Sequence, residues 1–282
     1  WDKGNLLVSQ RKDPAMLAHE YARSALRLGL EVTQQIGSNP YQFGMIGSTD
    51  SHTSLSTADD DNFWGGNPDN EPASGRMDRV LIPSSVEQSM DVMSWEQEAS
   101  GYAAVWARDN TRGEIFDALQ RREVYASTGP RITLRFFGGW QFGANDHLKP
   151  NYVDIGYAIG VPMGGELRRP TRRQAPTFMI AALKDPNGAN LDRLQIVKGW
   201  VGKDGNSQER VYDVAWSERR TTDASGKLGA VGSTVDPASA TYTNAIGASE
   251  LSTVWTDPEF DPEARAFYYV RALEIPTPRW VL

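Results

Sequence analysis

Apolar and polar positions follow two different periods along this chain. In the first part they recur at helical spacing. Asp13-Pro14 followed by Leu17, Tyr21, Leu26 and Leu28 predicts an N-cap, a proline in the first turn and an amphipathic helix running toward Gly37. Asn39-Pro40 then forces extended backbone into Tyr41–Gly47, whose apolar run Phe43-Gly44-Met45-Ile46 reads as a buried strand. Further on, Thr111-x-x-Glu114 is a capping box, and Ile115, Phe116, Ala118 and Leu119 give the apolar face of a helix ending at Arg121-Arg122. The order helix, strand, loop is the rhythm of a parallel barrel or doubly wound sheet, whose sites gather at the carboxyl ends of the strands.

From Val124 onward the period shortens. Runs at Arg131–Phe137, Thr177–Leu183, Leu191–Val201, Val211–Trp216, Leu251–Trp255 and Ala264–Ile275 are punctuated by Gly, Pro, Asn and Asp, which predicts an antiparallel β-sandwich. Ser127-Thr128-Gly129-Pro130 marks the expected boundary, with an α/β portion at 1–127 and an all-β domain at 128–282. Gly160-x-Pro162-Met163-Gly164-Gly165 lacks the Lys-Ser/Thr ending of a phosphate loop and reads as a turn between strands. Asp185-Pro186-Asn187-Gly188 is a hairpin signal.

Between the two regimes lies Thr53–Met93, rich in Asp, Gly, Asn, Pro and Ser. A connection of that length is expected to cover a site. Within it, Phe63-Trp64-Gly65-Gly66 is a candidate lid. Asp59-Asp60-Asp61 lacks the glycine and distal glutamate of an EF-hand loop and reads as a solvated turn.

Composition narrows the partners. The chain has 282 residues, long enough for two domains, and its 39% hydrophobic and 23% charged residues exclude disorder throughout. A net charge of −7 with no dense Lys/Arg cluster argues against a nucleic-acid partner. Arg168-Arg169 and Arg172-Arg173, around Pro170, read as a solvated loop. No apolar run approaches the ~20 residues of a membrane span, so no membrane partner is expected. The absence of cysteine removes disulfides and thiolate chemistry, and leaves both cytoplasmic and periplasmic or secreted locations open. The first residue is Trp1, which suggests a processed product or a fragment.

Candidate chemistry concentrates at Gly47-Ser48-Thr49-Asp50-Ser51-His52. At the end of a strand, residues i and i+2 share a face, so Asp50 and His52 can converge on one cation. Mixed oxygen and nitrogen donors suit zinc, manganese or iron. The competing reading is a turn whose imidazole is merely hydrogen-bonded. Only two other histidines exist, His19 and His147, so a complete site must recruit carboxylates or residues outside the chain. Arg122 and Arg131 are candidate contacts for an anionic substrate, because guanidinium matches phosphate or sulfate oxygens in pairs; pairing with surface carboxylates is the alternative.

Four segments together resemble an uncharacterised family within the PHP (polymerase and histidinol phosphatase) metallohydrolase superfamily. They are Phe43–His52, Arg122–Arg131, Gly160–Gly165 and Arg265–Trp280, and the similarity spans essentially the whole chain. The resemblance implies a distorted β/α barrel that binds two or three divalent metals and hydrolyses phosphoesters or related bonds. Asp50 and His52 match its last metal motif, Gly-Ser-Asp-x-His, with Thr49 inserted. Thr128-Gly129-Pro130 resembles the exit from such a barrel into a β-sandwich. The superfamily's opening His-x-His motif has no counterpart here.

The expectation is therefore the carboxy-terminal part of a PHP-like barrel followed by a β-sandwich, carrying an incomplete metal site. Its partners would be a small-molecule or anionic ester substrate and the missing amino-terminal half of the same protein. The function expected is metal-dependent hydrolysis in the full-length form, with this chain inactive alone. A non-catalytic β-sandwich that binds a partner or glycan is the alternative.

Overall fold

The alternating runs of the carboxy-terminal half pair into two antiparallel sheets in a computed structural model of the chain. It describes residues 3–5, 7–55, 57, 59, 62–68, 72–97, 101–168, 174–224 and 226–281. Strands β5 (Thr133–Gly139), β6 (Gly160–Pro162), β7 (Thr177–Leu183) and β10 (Glu250–Thr256) form a four-stranded sheet in the order β10-β7-β5-β6. Strands β8 (Leu191–Val201), β9 (Ser207–Trp216) and β11 (Ala266–Glu274) form a three-stranded sheet in the order β11-β8-β9.

One core joins the sheets. Phe136 of β5 and Phe178 and Ile180 of β7 pack with Leu191, Leu194 and Ile196 of β8, and the last three are fully buried. Aromatic contacts continue the core along the sheets: Phe136 stacks on Phe178, and Phe178 meets Tyr268 with centroids 4.4 Å apart.

β8 is covered on its other face as well. Helix α2 (Ala22–Ile36) lies against β8 and β9, where Arg23 Nε donates to Glu209 Oε2 at 2.6 Å and Ser207 N donates to Glu31 Oε1 at 2.9 Å. A strand buried on both faces cannot keep strict polar alternation. That accounts for the consecutive buried positions Ile196, Val197, Lys198 and Gly199.

The amino-terminal portion departs from expectation. Asp13 does cap the first turn, accepting from Ala15 N, but extended backbone at Tyr21 breaks the helix into α1 (Leu17–Glu20) and α2. Gly37, at φ 75°, ends α2 in the left-handed region open to glycine. Tyr41–Gly47 joins no ladder, and Phe43 and Ile46 are 38% and 57% exposed, so it is not a buried strand. The remaining strands form two small antiparallel pairs, β1 (Val80–Ile82) with β2 (Val92–Met93) and β3 (Tyr102–Val105) with β4 (Val124–Ser127). Helix α3 (Arg112–Gln120) stands between β3 and β4, with Thr111 Oγ1 accepting from Glu114 N; α4 (Tyr152–Ile159) precedes β6.

Every strand pairing among the described residues is antiparallel, and no β/α barrel closes. The expected α/β class, with the carboxy-terminal part of a PHP-like barrel, is therefore overturned. The physical reason is local: among the described residues the extended segment after α2 has no parallel neighbour, and helix α3 returns to an antiparallel partner.

Where the core ends, a charge is buried. Lys198 Nζ donates to Asp257 Oδ2 at 2.6 Å and to the Glu259 carbonyl at 2.7 Å; the two side chains are 4% and 0% exposed. Tyr268 Oη also donates to Asp257 Oδ2, at 2.6 Å, and Glu259 N donates to Oδ1 at 2.9 Å, so the carboxylate is well satisfied. Removing one partner strands the other, and Lys198→Met should lower unfolding stability by about 3–5 kcal/mol in urea titrations.

Burial, followed by the hydrogen bond to Asp257, pushes the Tyr268 hydroxyl above the ordinary phenol range. The folded state keeps this proton when the unfolded chain begins to release it near pH ~10. Its contribution is thus complete below that pH and declines above it. Unfolding titrations on either side of pH ~10 should show a flatter alkaline decline for Tyr268→Phe than for the parent.

Candidate functional site

Three glycines set the path of the chain into Asp50. The segment from Phe43 to Ser48 runs along the β3–β4 pair without strand hydrogen bonding. A Cβ on Gly44 would lie 2.7 Å from Val124 Cγ2, and one on Gly47 would lie 2.6 Å from the Ser127 carbonyl and 2.7 Å from that of Tyr102. Side chains at these positions would lift the segment away. Gly101 N donates to the Ser48 carbonyl at 2.9 Å, fixing the point where the segment leaves the pair.

The chain then turns sharply. Asp50 has φ 43°, in the left-handed region that Asp tolerates better than most residues. His52 N donates to the Gly66 carbonyl at 2.8 Å, so the histidine backbone is tied to the long connection that follows it. The side chains turn outward: His52 Nε2 is 3.6 Å from Asp50 Oδ1, with the imidazole 63% and the carboxylate 92% exposed. The structure thus brings Asp50 and His52 together at the surface. Among the described residues, no group of three or more His, Asp or Glu side chains is arranged to hold a metal ion.

The two arginines have different surroundings. Arg122, at φ 60°, closes α3 by donating its N–H to Leu119, and its guanidinium donates to the Gln42 carbonyl at 3.0 Å. It holds the start of the Asp50 segment. Arg131 is 67% exposed, lies 5.7 Å from the Tyr102 ring centroid, and reaches Asp59 at 3.7 Å in the connection after His52. Elsewhere, His19 is exposed on α1, and His147 sits in a short turn of helix at Asp146–Leu148. Of the acidic triplet, Asp60 and Asp61 lie outside the described residues, as do Arg169, Pro170, Arg172 and Arg173.

Phe63 does not form a lid. It is buried with Trp280 and Val281 against the half-buried Trp95, and meets Trp280 edge to face at 5.1 Å. The chain end is strapped down around it: Arg279 donates to the Trp95 carbonyl at 2.6 Å and the Gln97 carbonyl at 2.9 Å, Trp280 Nε1 donates to Gln97 at 3.0 Å, and the Arg76 guanidinium lies 4.7 Å from the Trp280 centroid. Phe63 is three residues from Gly66, whose carbonyl accepts from His52 N, so the cluster holds the connection close to that bond. Sequence reading missed Trp280 as a supporting residue. The available signal was a tryptophan and an arginine directly after Pro276-Thr277-Pro278, where fixed backbone presents the two side chains.

Three of the four segments that carried the family resemblance are neighbours in space: Gly44 packs on Val124 and Arg122, and Gly164 packs on the Arg122 carbonyl. Fold and site together define a β-sheet-rich protein with an exposed Asp–His pair at a glycine-shaped turn. The chain belongs to the family described as protein of unknown function (DUF3604), whose family model matches residues 1–282. Neither a curated protein nor a solved structure matches it.

Trp280→Ala should loosen the site before it melts the sheets. Hydrogen exchange at the His52 amide is expected to accelerate by roughly tenfold or more, while amides in the centre of β8 keep their protection. Equal acceleration at both places would show that the tail supports the whole fold and not this turn.

Proposed function

We propose that this chain carries part of the divalent-metal site of a metal-dependent hydrolase acting on an anionic ester, with Asp50 and His52 as ligands. The observation that carries the reading is the 3.6 Å separation of Asp50 Oδ1 and His52 Nε2 on a backbone tied at both sides of the pair. Two donors bound at ~2.1 Å to one tetrahedral cation stand ~3.4 Å apart, so the pair needs little rearrangement to share an ion. Kinship with the PHP metallohydrolases is part of the same proposal, and rests on the match of Gly47–His52 to their last metal motif.

A bound divalent cation supplies Lewis acidity and activates water for hydrolysis. The chain's own residues have separate tasks. Asp50 offsets the cation's charge. His52 offers a neutral ring nitrogen. Arg131, exposed beside Tyr102, is the contact for an anionic substrate group; Arg122 is occupied with the Gln42 carbonyl and serves the scaffold. Two ligands leave coordination positions to fill, and in this proposal residues outside the chain complete the zinc, manganese or iron site.

Elemental analysis after dialysis against trace zinc, manganese and iron tests the proposal. A form extended at the amino terminus should retain stoichiometric metal, this chain much less, and Asp50→Asn or His52→Ala in the extended form should lose it. Metal-dependent ester hydrolysis that survives both substitutions would sink the ligand assignment. Absence of metal from every form would sink the hydrolase reading.

A further inference from the structure

The two larger sheets do not end together. β8 runs for 11 residues and β9 for 10, whereas β7 and β10 have 7 each. Alternate side chains share a face, so Ile196 in the core, Lys198 at its edge and Trp200 beyond it point the same way. Register sets Tyr268 and Arg210 beside Lys198, and Ala266 and Gln208 beside Trp200. The four-stranded sheet stops at Thr256, and the next residue, Asp257, donates its N–H to Pro176 and receives Lys198. The buried ion pair is therefore the seal at the end of the core.

Beyond that seal a cleft of about 500 Å³ opens over the overhanging end of the three-stranded sheet. That volume falls among those of small-ligand sites. Trp200 and Gln208 line it from the sheet, and Gln34 from the end of α2. The Lys198 ammonium lies 5.2 Å from the Trp200 ring centroid and is itself fixed by Asp257 and Glu259. An indole braced by a buried cation is a rigid surface. Close approach of the Gln208 amide to the backbone is possible because position 202 is glycine: a Cβ there would lie 2.7 Å from Gln208 Nε2.

The charges lining the cleft cancel. Lys198, Lys203 and Arg265 face Glu259, Asp261 and Glu263, so there is no single-sign field to select a phosphate, a nucleic acid or a cation. What remains is an aromatic plane among side-chain amides and carboxylates. A neutral polyhydroxyl ligand suits that set, since each hydroxyl both donates and accepts while an amphipathic ring covers apolar C–H surface.

We propose that this cleft binds a neutral oligosaccharide, with Trp200 as the stacking surface and Gln208 and Glu263 as hydroxyl partners. The site is separate from Asp50 and His52 and holds whether or not they bind metal. Calorimetric titration with cellohexaose, maltohexaose, xylohexaose, mannohexaose and chitohexaose is the test. At least one should bind saturably at up to millimolar concentration, and Trp200→Ala should weaken it by roughly tenfold or more. Gln208→Ala, at an exposed position on β9, should weaken the same ligand and supplies the answer if the tryptophan variant does not fold. Failure of all five sugars to bind would overturn the proposal. Binding unchanged in a folded variant, or binding confined to a sulfated oligosaccharide and lost with added salt, would overturn it equally.

Discussion

Burial of β8 on both faces is the constraint from which the rest of the architecture follows. Its inner face meets the four-stranded sheet through Leu191, Leu194 and Ile196, and its outer face meets α2. Both neighbours on the sheet, β9 and β11, depend on its ladder for their position. A strand so placed supplies most of its burial through hydrophobic contact, which is why a charged residue on it demands explanation. Lys198 meets that demand only at the strand's far end, where Asp257, the Glu259 carbonyl and the Trp200 and Tyr268 rings surround its ammonium. Apolar residues in place of both Lys198 and Asp257 would avoid the desolvation cost, whereas replacing one alone strands the other. The ion pair instead marks where the core stops and the cleft begins.

The Asp50–His52 turn is held by a different kind of contact. Among the described residues no ladder and no large apolar cluster supports Phe43–Ser48; backbone packs on backbone at Gly47 and Gly101, and Gly44 admits the Val124 side chain. Such contacts fix position through shape more than through burial, and they leave the pair's side chains free to face solvent. The arrangement suits a surface that receives an ion or another chain better than one that closes over a ligand by itself.

Much of the β-rich half was legible in the sequence. The runs Thr177–Leu183 and Leu191–Val201 coincide with β7 and β8, because Gly, Pro and Asn bound them closely on both sides. Asp13 and Thr111 were legible as caps, since a side-chain acceptor before a helix has a local partner. What failed was the reading of Tyr41–Gly47. An apolar run between a helix and a loop looks like a parallel strand, but strand identity depends on a partner elsewhere in the chain, which no local pattern reports. Helix α4 was missed for a related reason: Tyr152, Val153 and Ile155 favour strands by propensity, yet they pack as a helix beside Phe137 and Met179. Of the candidate site, the sequence placed Asp50 and His52 near each other at a strand end, whereas their approach comes from a left-handed turn at Asp50. The burden that Arg122 carries was not legible, because its partner, the Gln42 carbonyl, lies 80 residues away.

A series of contacts runs from the core toward the turn, although the two lie in different parts of the molecule. β11 is set by its register with β8, from Ala266 opposite Trp200 to Leu273 opposite Arg193. Ile275, held by a hydrogen bond from its N–H to the Asn190 carbonyl, carries that register into the tail. Four residues of chain then bring Trp280 and Val281 onto Phe63, where Arg76, Trp95 and Gln97 converge. Phe63 lies within reach of Gly66, whose carbonyl orients His52. What the tail fixes is thus the backbone of the connection beside the turn, while the imidazole itself projects into solvent. The tail's two prolines, Pro276 and Pro278, limit the conformations open to it between β11 and Phe63.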